Sequence, residues 1–580
     1  MQTNLAHPTS ACSFSIAVTG SGGSGAITTG LILLESVARS GFYGLMSRSV
    51  GPQIRGGESA AMVRYATTPV DCLDDRFDLL VGLDWFNVDR FADEIPLDSA
   101  SLILTDPDTG DLPASLSDSN ARVLVQPLKK LASGIEGGRS NMLALGMIGR
   151  LAGLPVEAMT ASVRFVLRDK GDQVIEAAIA CIEKGFGSIT ETVGLAKLPQ
   201  PQESKQHWNI SGNEAGGLGA LRGGVRFVAA YPITPATEIL EWLSPRLEEL
   251  GGSLLQAEDE LASINMAIGA SFGGVPAMTA TSGPGLSLMT EGMGMAVASE
   301  TPVLVVNVTR GGPSTGIPTK SEQSDLNIAL YGLHGDAPHL VMAPLSIGDC
   351  ARTTEWATGL AEQLQTLAII LMDQLLGQTR SIVDPLTPGA YELKRKMAQP
   401  SNEVYLRNRL MPDGVSPMAI PGIPDCMYTA DGLEHDERGI PSSMAHDHQA
   451  QLDKRQLKLD QFDYAQRWVE CEGAGELCLL TWGSTAGAVF EAARRLRQEG
   501  VRVQVVAVRL LAPLQRDALK ALIEPAQRVL VVEQNHQAQF FHYLHAQQAL
   551  PMSAESFARP GPIPFRPGEI VARVKSTSHE

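Results

Sequence analysis

The sequence predicts an α/β protein with several domains. Three segments support this class: a short apolar strand at 14–19 that enters a glycine turn and a helix, a continuous apolar strand at 303–308, and a strand, turn and helix at 477–500. Strands that alternate with amphipathic helices are typical of parallel sheets. At 580 residues the chain is too long for one core, and ordinary domain sizes predict roughly three to four domains.

The charge and composition exclude several classes of function. Lys and Arg number 46 and Asp and Glu 64, so the net charge is 46 − 64 = −18. This charge is spread along the chain, which argues against a nucleic-acid surface. Residues 1–13 lack the features of a signal peptide, and no segment approaches the ~18 apolar residues of a membrane span. We therefore expect a cytoplasmic protein with no membrane partner.

The seven cysteines are scattered, and no two have Cys-X-X-Cys spacing. An iron–sulfur cluster needs about four thiolates at one site, often from one local motif. The sequence therefore predicts no cluster held by this chain alone, and mostly buried, reduced thiols.

Residues 14–194 are predicted to form a first, Rossmann-like domain. Its opening strand is followed by a turn that contains Gly22, Gly23 and Gly25. The next helix is predicted to stop at Gly41. Such glycines let the backbone approach a phosphate, and the helix N-terminus offers unpaired N–H groups. The alternative is a tight turn whose glycines only allow the helix to pack on the strand.

A missing acidic residue disfavours NAD as the ligand of this domain. The second strand is predicted to end near Met46, where an NAD site needs Asp or Glu for the ribose, but Ser47 and Arg48 follow. This is compatible with a phosphorylated ribose such as that of coenzyme A. Arg55, which precedes Gly56, is the best candidate in this region for binding an anion.

A polar, proline-containing linker is predicted at 195–207, and a second domain at 208–383. A β-rich segment at 225–230 ends in the turn Tyr231-Pro232-Ile233-Thr234-Pro235. Proline favours extended backbone in the residue before it, so the two prolines fix where the Thr234 hydroxyl points. This hydroxyl is a candidate for binding a small carboxylate.

Glu260 lies in an acidic segment that is predicted to begin a helix. It belongs to the acidic helix start Glu258-Asp259-Glu260, and the loop Thr281-Ser282-Gly283-Pro284-Gly285 follows downstream. Acidic residues at a helix start are also expected simply because they complement the helix dipole. Position alone therefore favours the dipole interpretation.

Arg310 is the leading candidate for a substrate carboxylate. It follows the apolar strand at 303–308, and open α/β sheets bind ligands at the carboxyl ends of their strands. The planar guanidinium of arginine binds a carboxylate through two hydrogen bonds, although an interface salt bridge is the alternative. His334 is a weaker candidate for substrate contact, because a lone histidine is more often structural.

These motifs, in this order, resemble the 2-oxoacid:ferredoxin oxidoreductases, thiamine diphosphate enzymes that oxidatively decarboxylate 2-oxo acids onto coenzyme A. The segments 231–235, 258–260 and 281–285 resemble the pyrimidine-binding domain of that family. The segments 51–59 and 63–64 and Asn141-Met142 resemble its gamma domain, which helps to hold coenzyme A.

The resemblance implies roles for these residues. Glu260 would bond N1′ of the aminopyrimidine ring and so activate the cofactor. Thr234, Arg310 and His334 would contact the substrate. The expected cofactor-binding residues are, on the thiamine side, Pro232, Ile233, Ser282 and Gly283, and, on the coenzyme A side, Gly22, Gly23, Gly25, Arg55 and Gly56.

The rest of the chain divides into three segments. Residues 384–470 are rich in proline and charge and are predicted to be a connecting arm ordered against its neighbours. Its histidines His435, His446 and His448 fit no standard metal spacing, so a solvated loop is expected and no metal site is predicted. Residues 471–550 resemble the transketolase C-terminal domain, and 551–580 form a tail.

A diphosphate motif is missing from the sequence. Thiamine enzymes bind magnesium and the diphosphate through a Gly-Asp-Gly segment, but every Gly-Asp pair in this chain lacks the second glycine. The resemblance therefore implies a separate beta subunit that carries Mg²⁺, the diphosphate site and a 4Fe–4S cluster. It also implies ferredoxin as the electron acceptor and a dimer of alpha–beta heterodimers.

The predicted function is that of the alpha subunit, with a fused gamma domain, of a 2-oxoglutarate:ferredoxin oxidoreductase that makes or consumes succinyl-CoA. Pyruvate or a branched 2-oxo acid is an alternative substrate, and the 2-oxoglutarate choice depends on the likeness of the fused architecture. A non-oxidative thiamine transferase and a noncatalytic nucleotide-binding or scaffold protein are the alternatives from other classes.

Overall fold

A computed structural model describes residues 13–51, 57–190, 195–201, 206–389 and 393–576. The strands are β1 Ser13–Ser21, β2 Tyr43–Val50, β3 Glu58–Ala66, β4 Leu79–Gly82, β5 Leu102–Thr105, β6 Arg122–Val125, β7 Trp208–Ser211, β8 Phe227–Ala230, β9 Ser253–Gln256, β10 Ala277–Thr281, β11 Val303–Thr309, β12 Leu340–Met342, β13 Leu367–Asp373, β14 Arg380–Val383, β15 Val469–Glu472, β16 Leu477–Trp482, β17 Val503–Val508, β18 Leu510–Ala512, β19 Arg528–Glu533 and β20 Glu555–Ala558.

The α-helices are α1 Ala26–Arg39, α2 Ala114–Ser117, α3 Leu128–Ser133, α4 Ser140–Ala152, α5 Val156–Val166, α6 Asp172–Ser188, α7 Gly212–Arg222, α8 Thr237–Glu249, α9 Glu260–Phe272, α10 Gly283–Ala298, α11 Leu326–Tyr331, α12 Ile347–Leu364, α13 Gln374–Gln378, α14 Ala445–Asp460, α15 Thr485–Gln498, α16 Arg516–Ile523, α17 Gln539–Ala546 and α18 Pro567–Ser576. None of the helices in the described part of the chain is long and apolar enough to cross a membrane.

The chain forms two compact units. The first contains residues up to Ile210 together with Thr379–Leu386 and Arg566–Gly568. Its eight-stranded sheet has the order β6-β5-β4-β1-β3-β2-β14-β7. Both faces of β1 are buried: Ile16 belongs to a core shared with α1, α4, α5 and α6, and Ala17 to a second core on the other face. This explains why the strand is almost continuously apolar.

The strand, glycine turn and helix predicted at the start of the chain are confirmed as β1 and α1. The predicted end of the second strand is wrong, because β2 continues to Val50 through pairing with β3. β3 also lies between β1 and β2 and is antiparallel to both. Ser47 and Arg48 therefore lie inside β2 and not after its end. A ribose-binding acid is expected after the end of the strand, so these two residues do not occupy that position.

The second unit contains two sheets. The seven-stranded sheet has the order β18-β12-β13-β11-β10-β8-β9, in which only β18 pairs antiparallel. The five-stranded sheet has the order β15-β17-β16-β19-β20, in which β15 is antiparallel to β17. The apolar strand predicted at 303–308 is confirmed as the fully buried β11, which has parallel neighbours on both sides. The predicted multi-domain α/β class is confirmed.

Helix α7 was not predicted, because glycine is a poor helix former and the helix contains several glycines. Ser211 begins it with a capping box, in which the Ser211 hydroxyl accepts from the Glu214 N–H and the Glu214 carboxylate accepts from the Ser211 N–H. Gly219 lies so close to the backbone of Ala351 in α12 that a side chain there would overlap it. The glycines therefore serve close packing of two helices.

The connecting arm contains α14, which the sequence analysis did not predict. Lys454 and Lys458 lie one turn apart on this helix, and both side chains are almost fully buried. Their Nζ atoms lie 2.5 and 2.9 Å from the two carboxylate oxygens of Glu300. The guanidinium of Arg407, another buried arm residue, donates to the Glu300 carbonyl at 2.9 Å. These buried contacts hold α14 and Arg407 against Glu300.

The cluster changes the pKa of its members. Burial alone would raise the pKa of the Glu300 carboxyl, but the Lys454 and Lys458 ammonium groups hold it well below its usual range. Burial lowers the pKa of Lys454 to about 8, against the opposing effect of Glu300. The Glu300 carboxylate therefore balances the positive charges of two buried ammonium groups, those of Lys454 and Lys458.

We expect Glu300→Gln to destabilise the second unit strongly. Removing one partner of a buried ion pair costs about 3–5 kcal/mol, because the remaining charge stays buried without compensation. Thermal unfolding followed by circular dichroism measures the effect. The control is Asp413→Asn, which breaks the exposed Lys396–Asp413 pair at 3.3 Å on the same arm and costs about 1 kcal/mol or less. Equal melting temperatures for the two variants would contradict this interpretation of the cluster.

Candidate active site

Four neighbouring strands of the seven-stranded sheet end at one edge. β9, β8, β10 and β11 are adjacent and parallel, so their carboxyl ends lie side by side, where open α/β sheets bind ligands. A candidate residue or turn follows each strand. Glu260 follows β9, the turn at 231–235 follows β8, Ser282 follows β10 and Arg310 follows β11.

Glu260 is the first residue of α9 and is buried, with 6% of its surface exposed. Asp259 caps the helix, and its carboxylate accepts the Ala262 N–H at 2.7 Å. Asp259 therefore provides the side-chain cap of α9. A Cβ added at Gly285 would lie 2.6 Å from Glu260 Oε1 and would overlap Thr281 Oγ1. The Glu260 carboxyl thus lies against the first turn of α10.

The N-terminus of α10 has an unused hydroxyl. Ser282 precedes the helix in extended backbone conformation but makes no side-chain capping hydrogen bond. Its Oγ atom is buried and has no hydrogen-bond partner among the described residues. A buried polar group without a partner requires an explanation, such as a hydrogen bond to a bound ligand. The first turn of a helix also presents free N–H groups.

Arg310 and Thr234 are brought together by the fold. Arg310 Nη1 donates to the Thr234 carbonyl oxygen at 2.6 Å, and Arg310 keeps only 7% of its surface exposed. The Thr234 side chain itself is exposed, and Pro232 and Ile233 are half-buried. Burial lowers the pKa of Arg310, and the negative charge of Asp325 opposes this change. The guanidinium remains a cation, because even a lowered arginine pKa lies far above neutral pH.

The sequence analysis did not predict a role at this edge for Asn213, Asn307 or Asp325. Asn213, at the start of α7, donates from Nδ2 to the Pro235 carbonyl at 3.0 Å and so supports the turn that contains Thr234. Asn307, inside β11, donates from Nδ2 to Asp325 Oδ2 at 2.8 Å. No local pattern marks these residues, because each is distant in sequence from the group it contacts.

His334 lies apart from this group. Its side chain is exposed, and its ring packs over Gly294, in the second half of α10. Ser282 and Gly283 are at the opposite end of that helix. The structure therefore does not bring His334 to Arg310 and Thr234, and its contact with substrate stays a prediction.

The glycine turn of the first unit uses several of its own N–H groups. Ser21 N–H donates to the Asp84 carboxylate at 2.9 Å, Gly22 N–H donates to the Gly57 carbonyl at 2.6 Å, and Ser24 N–H donates to the Ser21 carbonyl at 2.9 Å. An internal carboxylate thus occupies part of the position where a phosphate was expected. A ligand there would have to use the remaining N–H groups.

Gly23 and Gly25 both have positive φ, which favours glycine. A side chain at Gly23 would meet nothing within 4 Å, whereas one at Gly25 would overlap the amide of Asn141. Gly25 is therefore needed for packing, and Gly23 faces open space. Arg55 and Gly56 lie outside the described residues. Among the described residues, no group of three or more His, Cys, Asp or Glu side chains is arranged to hold a metal ion.

Three family models match the chain. Residues 218–454 match the thiamine diphosphate-binding domain of pyruvate flavodoxin/ferredoxin oxidoreductase, and 15–188 match the pyruvate ferredoxin/flavodoxin oxidoreductase domain. Residues 468–543 match the transketolase C-terminal domain. The edge with Glu260, Ser282 and Arg310 lies in the first of these. Fold and site together define a subunit of a thiamine diphosphate-dependent oxidoreductase.

Named relatives narrow this class. The chain is 33% identical to the 2-oxoacid:ferredoxin oxidoreductase subunit alpha of Saccharolobus solfataricus, over 68% of this chain and 65% of that protein. It is 37% identical to the 2-oxoglutarate synthase subunit KorA of Archaeoglobus fulgidus, over 56% of this chain and 87% of that protein. The chain therefore belongs to the 2-oxoacid:ferredoxin oxidoreductase family.

One solved structure matches almost the whole chain. It is the 2-oxoglutarate:ferredoxin oxidoreductase from Magnetococcus marinus with 2-oxoglutarate, coenzyme A and succinyl-CoA bound. The TM-score is 0.90 at 34% sequence identity, and the match covers 97% of this chain and 99% of that chain. The relatives are named as subunits, so the family works as a multi-subunit enzyme.

We expect Gly285→Ala to lower turnover about a hundredfold, because the added methyl group displaces the Glu260 carboxyl and misplacement by about 1 Å costs on that order. The measurement is viologen reduction by the assembled enzyme with a 2-oxo acid. Gly269→Ala, in α9, is the matched control, because a methyl group there meets nothing within 4 Å. Equal activity of the two variants would show that the contact between Gly285 and Glu260 does not matter.

Proposed function

We propose that this chain is the alpha subunit of an enzyme that decarboxylates 2-oxoglutarate oxidatively, with coenzyme A, to succinyl-CoA, CO₂ and reduced ferredoxin. The reaction is reversible. The observation that carries this proposal is the likeness, over nearly the full chain, to an oxidoreductase that holds 2-oxoglutarate and succinyl-CoA. Relatives named for 2-oxoglutarate, at 36–37% identity, support the same substrate.

The carboxyl edge of the seven-stranded sheet fits the pyrimidine half of thiamine diphosphate. The fit rests on the partnerless Ser282 hydroxyl and on the close approach of the Glu260 carboxyl to Gly285, where a side chain would overlap it. Thiamine diphosphate bound here would supply the nucleophilic carbon and the electron sink that decarboxylation of a 2-oxo acid needs. Glu260 bonds and holds a proton at N1′ of the pyrimidine ring, and Ser282 and Gly283 contact the cofactor together with Pro232 and Ile233.

Arg310 binds the carboxylate of the 2-oxo acid next to the keto carbon. Its Nη1 is held by the Thr234 carbonyl, which fixes the plane of the guanidinium for a two-bond contact. The exposed Thr234 hydroxyl contacts the same substrate group in this proposal. Asn213 supports this arrangement through the Pro235 carbonyl.

The first unit contributes to coenzyme A binding through its glycine turn. Because Ser21, Gly22 and Ser24 donate their N–H groups internally, Gly23 and Gly25 offer the remaining N–H groups to a phosphate. Arg55 and Gly56 are proposed to join them.

A separate beta subunit completes the enzyme. It carries the diphosphate site with Mg²⁺ and the 4Fe–4S cluster, since this sequence lacks both the Gly-Asp-Gly segment and clustered cysteines. Ferredoxin accepts the electrons, and the assembly is a dimer of alpha–beta heterodimers in the cytoplasm.

The proposed function is tested by anaerobic purification of the chain with its partners and by viologen reduction on a panel of 2-oxo acids, with and without coenzyme A. Coenzyme A-dependent reduction with 2-oxoglutarate alone is the expected result. A different best acid would correct the substrate only. No reduction, from a preparation that contains a cluster-bearing partner and thiamine diphosphate, would overturn the proposal in favour of a transferase or scaffold.

We expect Glu260→Ala to abolish turnover without affecting assembly, because it removes the carboxyl that activates the cofactor but leaves the helix cap Asp259 in place. Turnover by viologen assay and subunit composition by size-exclusion chromatography measure the two effects. Glu258→Ala removes an exposed carboxylate two residues earlier and is expected to keep full activity. Substantial turnover by Glu260→Ala would remove Glu260 from the mechanism.

Arg310→Lys is expected to raise the KM for the 2-oxo acid ten- to a hundredfold with little change in the KM for coenzyme A. Lysine keeps the charge but loses the planar pair of donors, and a hydrogen bond to a charged group contributes about 1.5–3 kcal/mol. Steady-state kinetics of the assembled enzyme measure both constants. Arg352→Lys, on an exposed face of α12, serves as the control. An unchanged KM for the 2-oxo acid would place the substrate carboxylate elsewhere.

A further inference from the structure

An acidic residue lies in the corner that we assign to the substrate carboxylate. Asp325 Oδ2 accepts the Asn307 Nδ2–H at 2.8 Å, and the same Asn307 amide donates to Thr309 Oγ1 at 3.1 Å. A Cβ at Gly283 would lie 3.0 Å from Asp325 Oδ2, so this carboxylate lies at the first residue of α10. Asp325 is partly exposed, which gives it access to solvent protons.

Charged neighbours act on Asp325 in opposite directions. Arg310 is the cation that stabilises its charged form, while Glu322, a second partly buried acid of the same segment, opposes it. The charge of His536 opposes the rise in the pKa of Glu322. Burial raises the pKa of Asp325, and hydrogen bonds from Asn307 and Thr309 and the charge of Arg310 lower it in part. The residue before Asp325, Ser324, donates from Oγ to the Arg310 carbonyl at 3.4 Å, and ionised Asp325 thus offsets part of the Arg310 charge.

A substrate carboxylate at Arg310 would put two negative charges on one cation. Like charges that share a site cannot both remain ionised at no cost, and the group with the higher pKa takes a proton. The carboxyl of a 2-oxo acid is the stronger acid, because the neighbouring keto group withdraws electrons. Asp325 is therefore the group that becomes neutral.

We propose that Asp325 is a positioning residue that takes up one proton from solvent when the 2-oxo acid binds at Arg310. This inference rests on the proposed function and deepens it, because it makes protonation of Asp325 a condition for tight substrate binding. Neutral Asp325 keeps its contact with Asn307 and leaves the Arg310 charge to the substrate. At high pH, ionised Asp325 competes with the substrate for the same guanidinium.

Because substrate binding takes up a proton, its affinity must change with pH in one direction. Binding that takes up a proton weakens as pH rises, by at most roughly tenfold per pH unit for one proton. The weakening begins at the pKa of Asp325 in the free enzyme and ends at its pKa in the substrate complex. In this window KM for the 2-oxo acid rises with pH, whereas kcat, measured at saturating substrate, changes little.

The test is the pH dependence of KM and kcat for 2-oxoglutarate in the assembled enzyme, at constant saturating coenzyme A. For the wild type, we expect KM to rise at least fivefold across the window. Asp325→Asn keeps the shape and the oxygen that accepts from Asn307 but cannot ionise. Its KM should stay within about twofold of the low-pH wild-type value at every pH, a result that a merely structural role would not give.

Glu322→Gln is the matched control, because it removes the neighbouring acid and should leave the pH dependence of KM in place. A flat wild-type KM, or an equal slope in Asp325→Asn, would overturn the inference. Loss of the slope in Glu322→Gln alone would assign the proton to Glu322 and also overturn it. Failure of the proposed function is distinct from these results, since no 2-oxo acid would then be turned over by the wild type at any pH.

Discussion

The parallel pairing of β9, β8, β10 and β11 is the constraint on which the candidate site depends. Parallel strands present their carboxyl ends at the same edge of a sheet, and the segments that leave them must satisfy their polar groups there. The 231–235 turn, the α9 start, the α10 start and Arg310 are brought together only in this way. The Arg310–Thr234 hydrogen bond then joins the ends of two strands that are not direct neighbours.

Buried charge has two different consequences in the second unit. Glu300 is enclosed with Lys454 and Lys458, and the compensation makes the connecting arm part of the folded structure. Arg310 is also buried, but its Nε atom has no hydrogen-bond partner among the described residues, and the charge of Asp325 only partly opposes the effect of burial on its pKa. The first arrangement is closed and structural, whereas the second retains capacity for an anion. The partnerless Nε of Arg310, which has no counterpart on Lys454 or Lys458, supports binding of an anion at Arg310.

Much of the fold was predictable because the local signals were strong. The first strand, glycine turn and helix, the apolar β11 and the strand–turn–helix at β16 and α15 all have patterns that the structure confirms. The Rossmann expectation for the second strand failed, because sequence periodicity does not reveal which strand lies beside which. Helices α7 and α14 were missed because their stability comes from packing, through Gly219 in one and buried Lys454 in the other, and not from local propensity.

The sequence by itself determined the class of fold, the placement of Glu260 at a helix start, the polar segment after β11 and the lack of a Gly-Asp-Gly motif. Each of these features depends on residues that are neighbours in the chain, so the local sequence is enough to predict it. Only the tertiary structure decided that Asp259 caps α9, that Arg310 meets Thr234, that His334 packs over α10, and that Asp325 and Asn307 enter the same corner. These contacts join residues far apart in the chain, and their geometry exists only once the strands have paired.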